Sequence, residues 1–528
     1  MSCATARTIT LAGLLGHLVD VEVDVSQGLV GTNLVGRPDA AINEARERCR
    51  TAIKNAGLTW PATRRVTILL SPADLPKRGS QVDLAIAVGV LAATGQVPPA
   101  LLDGTVFLGE VGLTGQLRPL PAALPLVMSA ARSGVRRVVV PQSQAAEASL
   151  VPGIEVFGLR SLQQVVAWLQ GTEVPDAAPV APQAGARLLQ WRGDDRLAHL
   201  DLADLDGMLE ERLALEVAAA GGHHLLLTGP KGAGKTSLAE RLPGLLPDLT
   251  VDESLEVTAI RSLDRTLGPD GGLVTRPPYA APHHRSSLVS VIGGGSGIAR
   301  PGEISKAHCG VVMLDEFPLF ARDVLDALRQ PLESGEVTIA RGEEVATFPA
   351  QALFVLACNP CACGNYAASV ALDQCICSEQ TRREYRRRLT GPAIDRIDIT
   401  REVLPVASLS SGPLDPVPED SATVRARVTE ARGRQAARYA DLPWRLNAQV
   451  PAARLRDTWP LPEVGQVVVD SAVRSGALTR RGTVRVHRLA WTLADLAGRA
   501  VPIRADVEVA LRLRTGARLD SWMVGRAS

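Results

Sequence analysis

Polar and apolar residues alternate through VEVDV (Val21–Val25), the mark of a half-buried strand. Similar strand runs recur in RRVTILL (Arg64–Leu70) and VRRVVVP (Val135–Pro141). Between the first two, DAAINEARERCRTAIKNAG (Asp39–Gly57) spaces its apolar residues three and four apart, which predicts an amphipathic helix. The opening, MSCATARTITLAGLLGHLVDVEVDV, also alternates. It lacks a basic leading region and a small-residue cleavage site, so it reads as folded structure and not as a signal peptide. Further on the pattern changes. HHLLLTG, GVVMLDE and ALFVLACN are continuous apolar runs separated by helix-length segments, which predicts a parallel sheet in an α/β domain. The last hundred residues read as mostly helical, with RVHRLAWTLADLAGR (Arg485–Arg499) the clearest amphipathic run.

A chain of 528 residues is too long for one core and suggests about three domains. The segment Gly171–Arg187 is rich in Ala and Pro and reads as a linker, and Ser408–Asp420 is a weaker break. The expected division is a first domain over 1–172, a linker over 173–187, an α/β core over 188–405 and a helical domain over 421–528. No internal repeat is evident. Hydrophobic residues make up 46% and charged residues 21%, the balance of an ordinary globular protein. No run of eighteen apolar residues exists, so no membrane span or membrane partner is expected, and the expected location is the cytoplasm. Structural disulfides are not expected there. The net charge of +1 imposes no global basic field. Lysine occurs only at positions 54, 77, 231, 235 and 306, so two lysines in one short loop are informative.

That loop is GPKGAGKT, which fits G-x-x-x-x-G-K-T between an apolar strand and a helix. The expected nucleotide-binding set is Gly229, Pro230, Lys231, Gly232, Ala233, Gly234, Lys235, Thr236 and Ser237, with Asp315. Backbone N–H groups and the helix N-terminus would hold phosphate oxygens, and Lys235 would reach the β- and γ-phosphates of ATP. Thr236 and Asp315 would hold Mg²⁺, and Glu316 would polarise the attacking water. Asn359 ends another apolar strand, where its amide could sense the γ-phosphate. Arg396 falls in a turn and Arg481 at a helix start, and each alone reads more readily as a surface cation.

Together these parts look like an AAA+ ATPase. DLADLDGMLEERLALEVAAAGGHHLLLTGPKGAGKT, RPPYAAPHHRSSLVSVIGGGSGIARPGEISKAHCGVVMLDEFP and RRLTGPAIDRIDI closely resemble the ComM/YifB family, the magnesium-chelatase-like branch of AAA+ proteins. SPADLPKRGSQVDLAIAVGVLAATG and FLGEVGLTGQLRPLPAALP resemble that family's N-terminal domain, so the likeness covers nearly the whole chain. It implies that Asn359 is sensor 1, Arg396 an arginine finger acting on a neighbour's nucleotide, and Arg481 the sensor-2 arginine of a helical lid. It also implies a homo-hexameric ring. The His283–His284 pair lies in a Gly-rich excursion that the resemblance assigns to inserts facing the ring's pore. A structural or DNA-contacting role is expected for it, rather than metal binding.

Five of the eight cysteines fall between Cys358 and Cys377. Cys361 and Cys363 form one C-x-C, and Cys375 and Cys377 form a second after eleven residues. Four thiolates in two close pairs suit a closed tetrahedral Zn²⁺ site, with free thiols or a redox pair as the alternatives. The resemblance favours zinc, because paired cysteines follow the sensor-1 Asn-Pro in that family. Cys358, Cys3, Cys49 and Cys309 read as core. After the cluster, Arg382, Arg383, Arg386, Arg387 and Arg388 crowd one expected helix, either as a solvated face or as a surface for DNA or a neighbouring subunit.

The first domain also resembles the proteolytic domain of Lon-type proteases, a fold related to ribosomal protein S5. That chemistry needs a serine and a lysine base. The protease pattern would put the lysine where this chain has Leu124, and Ser80 is displaced by one residue. Lys77 belongs to a shared Pro-Lys turn. A non-proteolytic domain for assembly or for binding a protein partner is therefore expected. Members of the resembled family usually carry an apolar residue where this chain has Arg37.

The expected fold is thus an S5/Lon-protease-like α+β domain, an AAA+ P-loop core with a parallel sheet and a four-cysteine insertion at 361–377, and a C-terminal helical lid. The expected function is a Mg-ATP-dependent motor on single-stranded or branched DNA, a helicase or branch-migration enzyme serving recombination or natural transformation. The alternative is a magnesium-chelatase-like ATPase that remodels a partner protein. The chain has no metal-binding von Willebrand-type segment, so it would not be a complete chelatase alone.

Overall fold

The computed structural model describes residues 3–179, 197–205, 207–264, 272–295, 299–341, 344–366, 375–388, 393–404, 419–520 and 523. The expected boundaries at 187/188 and around Ser408 lie outside these residues, as does part of the expected linker.

The first domain is a seven-stranded mixed sheet. Its strands are β1 (Cys3–Ala12), β2 (Leu15–Ser26), β3 (Gly31–Val35), β4 (Arg65–Ser71), β5 (Thr105–Phe107), β6 (Arg137–Pro141) and β7 (Glu155–Leu159), in the order β3-β4-β2-β1-β5-β6-β7. The alternation read in VEVDV is realised: Val19, Val21, Val23 and Val25 are buried, while Asp20, Glu22 and Asp24 lie partly exposed on the other face. The same alternation corrects one expectation. Cys3 is exposed and not core, because β1 buries Ala4 and Ala6 and turns Cys3 outward. Cys309 is likewise only half buried, whereas Cys49 and Cys358 are core as expected.

Helix α1 (Ala40–Asn55) begins at the N-cap Asp39, whose carboxylate accepts the Ile42 N–H at 2.8 Å. It buries Ile42, Ala45, Cys49, Ala52 and Ile53, one stripe, against helix α2 (Asp83–Ala93), which is buried on every side. A third helix, α3 (Ala123–Arg132), packs onto the second domain.

The second domain is the parallel α/β core that the apolar runs predict. Its strands are β8 (Leu225–Thr228), β9 (Tyr279–Ala280), β10 (Val311–Leu314), β11 (Leu353–Cys358) and β12 (Ile399–Glu402), ordered β9-β10-β11-β8-β12 and all parallel. The register pairs Thr228 with Cys358 and Leu314 with Leu356. The loops after β8, β10 and β11 therefore leave one edge together. Helix α4 (Leu209–Gly221) covers the sheet, and α5 (Lys235–Leu245) follows β8. Helix α6 (Val251–Leu263) carries Leu255 and Ala259 into the apolar cluster of Val127 and Leu120 from the first domain. Beside it, the Ser262 hydroxyl donates to Glu147 Oε1 at 2.5 Å.

Helix α7 (Glu379–Arg388) follows the second cysteine pair. The last domain packs α8 (Ser421–Arg438), α9 (Glu463–Arg474), α10 (Arg480–Leu496) and α11 (Arg504–Thr515) together. Its core, including Val486, Leu489 and Trp491, is continuous with that of the α/β domain.

One buried charge pins this helical domain to the sheet. Asp398 accepts from Arg485 at 2.8 Å and from the His224 N–H at 3.1 Å, with His223 Nδ1 at 3.6 Å. Burial opposes its charge, but Arg485 and His223 outweigh burial and hold the carboxyl far below the usual carboxylate range. Removing one partner of such a pair strands the other in low dielectric. Asp398→Ala is therefore expected to cost about 3–5 kcal/mol, read as a lowered unfolding midpoint. Because the folded pKa is depressed, the wild-type contribution is full above the unfolded carboxylate value of about 4 and fades as pH falls below it. The midpoint difference between wild type and variant should shrink in that acid range.

Candidate nucleotide site

Lys235 opens α5 and is only 8% exposed, so its ammonium must be satisfied inside the loop. It donates to the carbonyls of Gly229 at 2.7 Å and Pro230 at 2.8 Å, and to Asn359 Oδ1 at 3.2 Å. Burial lowers its pKa, and the charge of Asp315 opposes that. The loop also leans on its neighbours. The Gly229 N–H donates to the Cys358 carbonyl at 3.2 Å. A β-carbon on Gly229 would stand 2.3 Å from the Val403 carbonyl oxygen, so only glycine fits there.

Thr236 Oγ1 lies 3.4 Å from Asp315 Oδ2. A hydroxyl and a carboxylate this close, at the end of a parallel strand, are a fitting pair for a hydrated Mg²⁺. Asp315 Oδ1 accepts the Glu316 N–H at 2.8 Å. Glu316 holds a left-handed backbone (φ 50°), and its carboxylate lies 3.1 Å from His284 Nδ1. Sequence reasoning missed that contact. His284 stands on a loop after β9, and only the pairing of β9 with β10 brings it beside the acid.

The structure thus gathers Gly229, Pro230, Lys235, Thr236, Asp315, Glu316 and Asn359 at one edge. Lys231 and Gly232 are exposed at the loop tip, Ala233 is buried, and Gly234 N-caps α5 ahead of Ser237. The two arginines form a second group. Arg396, in the turn Ile394–Arg396, pairs with Glu333. Arg481 lies 3.7 Å from Asp395, the residue before Arg396, and is exposed. The two differ in exposure: the Arg396 side chain is only 13% exposed beneath Glu333, whereas that of Arg481 is 74% exposed.

The cysteines converge. Cys361 and Cys363 sulfurs are 3.3 Å apart, Cys363 and Cys375 3.6 Å, and Cys375 and Cys361 3.5 Å. With Cys377, all four sulfurs lie within 4.8 Å of one another. Four sulfurs at about 2.3 Å from a tetrahedral zinc would stand about 3.8 Å apart, so the set fits that ion. The four thiols share their protons unevenly: the Asn365 N–H, the Cys361 thiol and the Ile376 N–H pull Cys363 down to about 6, while burial and the neighbouring sulfurs push Cys375 up to about 12.

The protease-like positions of the first domain are each engaged elsewhere. Leu124 is fully buried, Ser80 donates to Glu110 at 2.5 Å, and buried Lys77 donates to the Pro72 carbonyl.

Three family descriptions match the chain. Residues 201–410 match the family "Magnesium chelatase, subunit ChlI", residues 21–144 match "Subunit ChlI of Mg-chelatase", and residues 418–514 match "Magnesium chelatase, subunit ChlI C-terminal". The chain is 44% identical to an uncharacterised Mycobacterium tuberculosis protein, over 98% of this chain and 100% of that one. It is 39% identical to YifB of Escherichia coli, over 98% of both chains. It is 37% identical to the competence protein ComM of Haemophilus influenzae, over 98% of this chain and 99% of that one. A shorter likeness, 23% identity to Lon protease 2 of Bacillus subtilis, covers 29% of this chain and 30% of that protein.

Gly229→Ala tests the loop geometry. The added carbon must displace the loop or Val403, and a shift of about 1 Å at such a site costs on the order of 10²-fold in turnover. The expected outcome is a folded protein by circular dichroism with nucleoside-triphosphate hydrolysis lowered by about that factor.

Proposed function

The chain belongs to the ComM/YifB family of magnesium-chelatase-like AAA+ proteins, and from that premise we propose that it is a Mg-ATP-dependent motor acting on DNA as a homo-hexameric ring. The observation that carries the ATPase part is the meeting of Lys235, Thr236, Asp315, Glu316 and Asn359 at one sheet edge. In this reading Lys235 holds the β- and γ-phosphates, Thr236 and Asp315 hold Mg²⁺, Glu316 polarises water and Asn359 reports the γ-phosphate. Arg396 reaches a neighbour's nucleotide, and Arg481 senses it from the lid. A finger supplied by the next subunit requires the ring and adds about 10³–10⁵ in rate.

The DNA part rests on helix α7 and on the name of a relative, the competence protein ComM. Arg382 lies over the Tyr366 ring at 5.1 Å, while Arg383 is partly neutralised by Glu379. Arg387 is exposed, and the side chains of Arg386 and Arg388 lie outside the described residues. Branch migration or strand separation of single-stranded or branched DNA, in recombination or natural transformation, is the activity such a ring would perform. Zn²⁺ at Cys361, Cys363, Cys375 and Cys377 would be structural. The first domain would serve assembly or bind a protein partner, without peptidase activity. No helix among the described residues is long and apolar enough to cross a membrane. We place the protein in the cytoplasm.

The matches to magnesium-chelatase subunits favour a second reading, an ATPase that remodels a partner protein. Steady-state ATP hydrolysis with and without single-stranded and branched DNA separates the two. Strong stimulation is expected for the motor, and a good basal rate indifferent to DNA would favour remodelling. Lys235→Ala is expected to abolish nucleotide binding, and Glu316→Gln to keep binding and stop turnover. A normal rate in Glu316→Gln would remove its assigned role. If four arginines of α7 neutralise phosphates, the log–log salt slope of single-stranded DNA binding should be about −3. A slope near zero would exclude that surface.

A further inference from the structure

The four-cysteine excursion leaves the sheet directly after Asn359 and returns against the nucleotide site in two places. Gly364, buried and with φ 85°, lies under the side chain of Lys231 in the phosphate loop. A β-carbon there would stand 2.9 Å from Lys231 Cγ, 3.0 Å from Cε and 3.2 Å from Cδ. The Lys231 stem therefore lies along the bare backbone of the cysteine turn. Lys231 is otherwise exposed, so this turn is a protein surface that its stem rests on. The turn is tight: the Gly364 N–H donates to the Cys361 carbonyl at 3.0 Å, and Cys361 is fully buried. On the far side of the second cysteine pair, α7 returns with Tyr385, 8% exposed, its phenol beside the backbone of Asn359. Asn359 in turn accepts from Lys235. The turn that touches Lys231 and the helix that carries Tyr385 meet at the four sulfurs and where Arg382 lies over the Tyr366 ring. Of these links, a metal held by four thiolates is the stronger, since a single half-buried cation–ring contact is weak beside four metal–sulfur bonds.

We propose that this cluster is a metal-dependent brace of the nucleotide site. With the metal bound, the Gly364 turn holds Lys231 over the phosphate loop, and Tyr385 holds Asn359 in place to receive a γ-phosphate. With the metal lost, the turn and the helix part, and both contacts loosen. Lys231 is then a positioning residue whose placement depends on thiolate chemistry rather than on its own loop. This rests on the metal reading of the four cysteines. It adds that the ion governs affinity for a nucleoside triphosphate, a consequence that a merely local staple would not have.

The test uses the full chain in three forms: as purified, stripped with a chelator, and refilled with Zn²⁺, each with Mg²⁺ restored. Zinc per chain is measured by elemental analysis, and the Kd of a fluorescent ATP analogue by titration. The expected result is zinc in the purified protein, a Kd weakened about tenfold on stripping, and recovery on refilling. Gly364→Ala gives a second arm that leaves the ligands intact. It should keep its zinc and its circular dichroism yet bind the analogue about tenfold more weakly, because the new carbon pushes Lys231 aside. Zinc bound with an unchanged Kd in both arms overturns the brace and leaves the metal site standing. A protein that neither holds nor takes up zinc overturns the metal reading, and the metal dependence with it.

Discussion

The parallel register between Leu225–Thr228 and Leu353–Cys358 is the constraint from which the site follows. It sets Thr228 opposite Cys358, so the phosphate loop and Asn359 begin at the same height. The neighbouring ladder sets Leu314 opposite Leu356 and brings the Asp315–Glu316 pair close to that level. Parallel strands need both faces covered, and here the apolar residues along each of these strands are packed into the core on both faces. A slip of one residue in the first ladder would carry Lys235 away from Asn359 by about 3.3 Å, more than a hydrogen bond tolerates.

The surrounding domains are joined to this sheet by buried polar links as well as by apolar area. Asp398 ties the helical domain to the strand that carries the phosphate loop, through Arg485 on one side and the His224 backbone on the other. Glu147 and Ser262 do the corresponding job for the first domain, beside the apolar seam of Leu255, Ala259 and Val127. Each link satisfies a group that would be costly to leave unpaired in low dielectric. Each also fixes an orientation that apolar contact alone leaves loose. Asp398 lies two residues after Arg396, so the same link that seats the helical domain also fixes the turn holding that arginine.

Much of this was legible from residue order. A phosphate loop is a local object: its glycines, lysine and threonine are consecutive, and the flanking strand and helix are visible in the apolar pattern. The strand ends at Asp315 and Asn359 were legible for the same reason. The cysteine pairs were legible by spacing, and the structure brings their sulfurs together. Errors arose where exposure depends on which face of a strand is covered. Cys3 follows the alternation of β1 outward, although cysteines are commonly buried.

The order of residues by itself determined the phosphate loop, the acid pair, the four thiols and the succession of a mixed-sheet domain, a parallel core and a helical end. These are short-range patterns whose chemistry needs only neighbours along the chain. Tertiary structure decided which distant groups touch them. His284 reaches Glu316 because β9 pairs with β10, Tyr385 reaches Asn359 because α7 folds back, and Lys231 crosses Gly364 because the cysteine turn lies beneath the loop. Such contacts join segments with no shared periodicity or spacing. They exist only once the backbone ladder and the packed core have fixed where each segment ends.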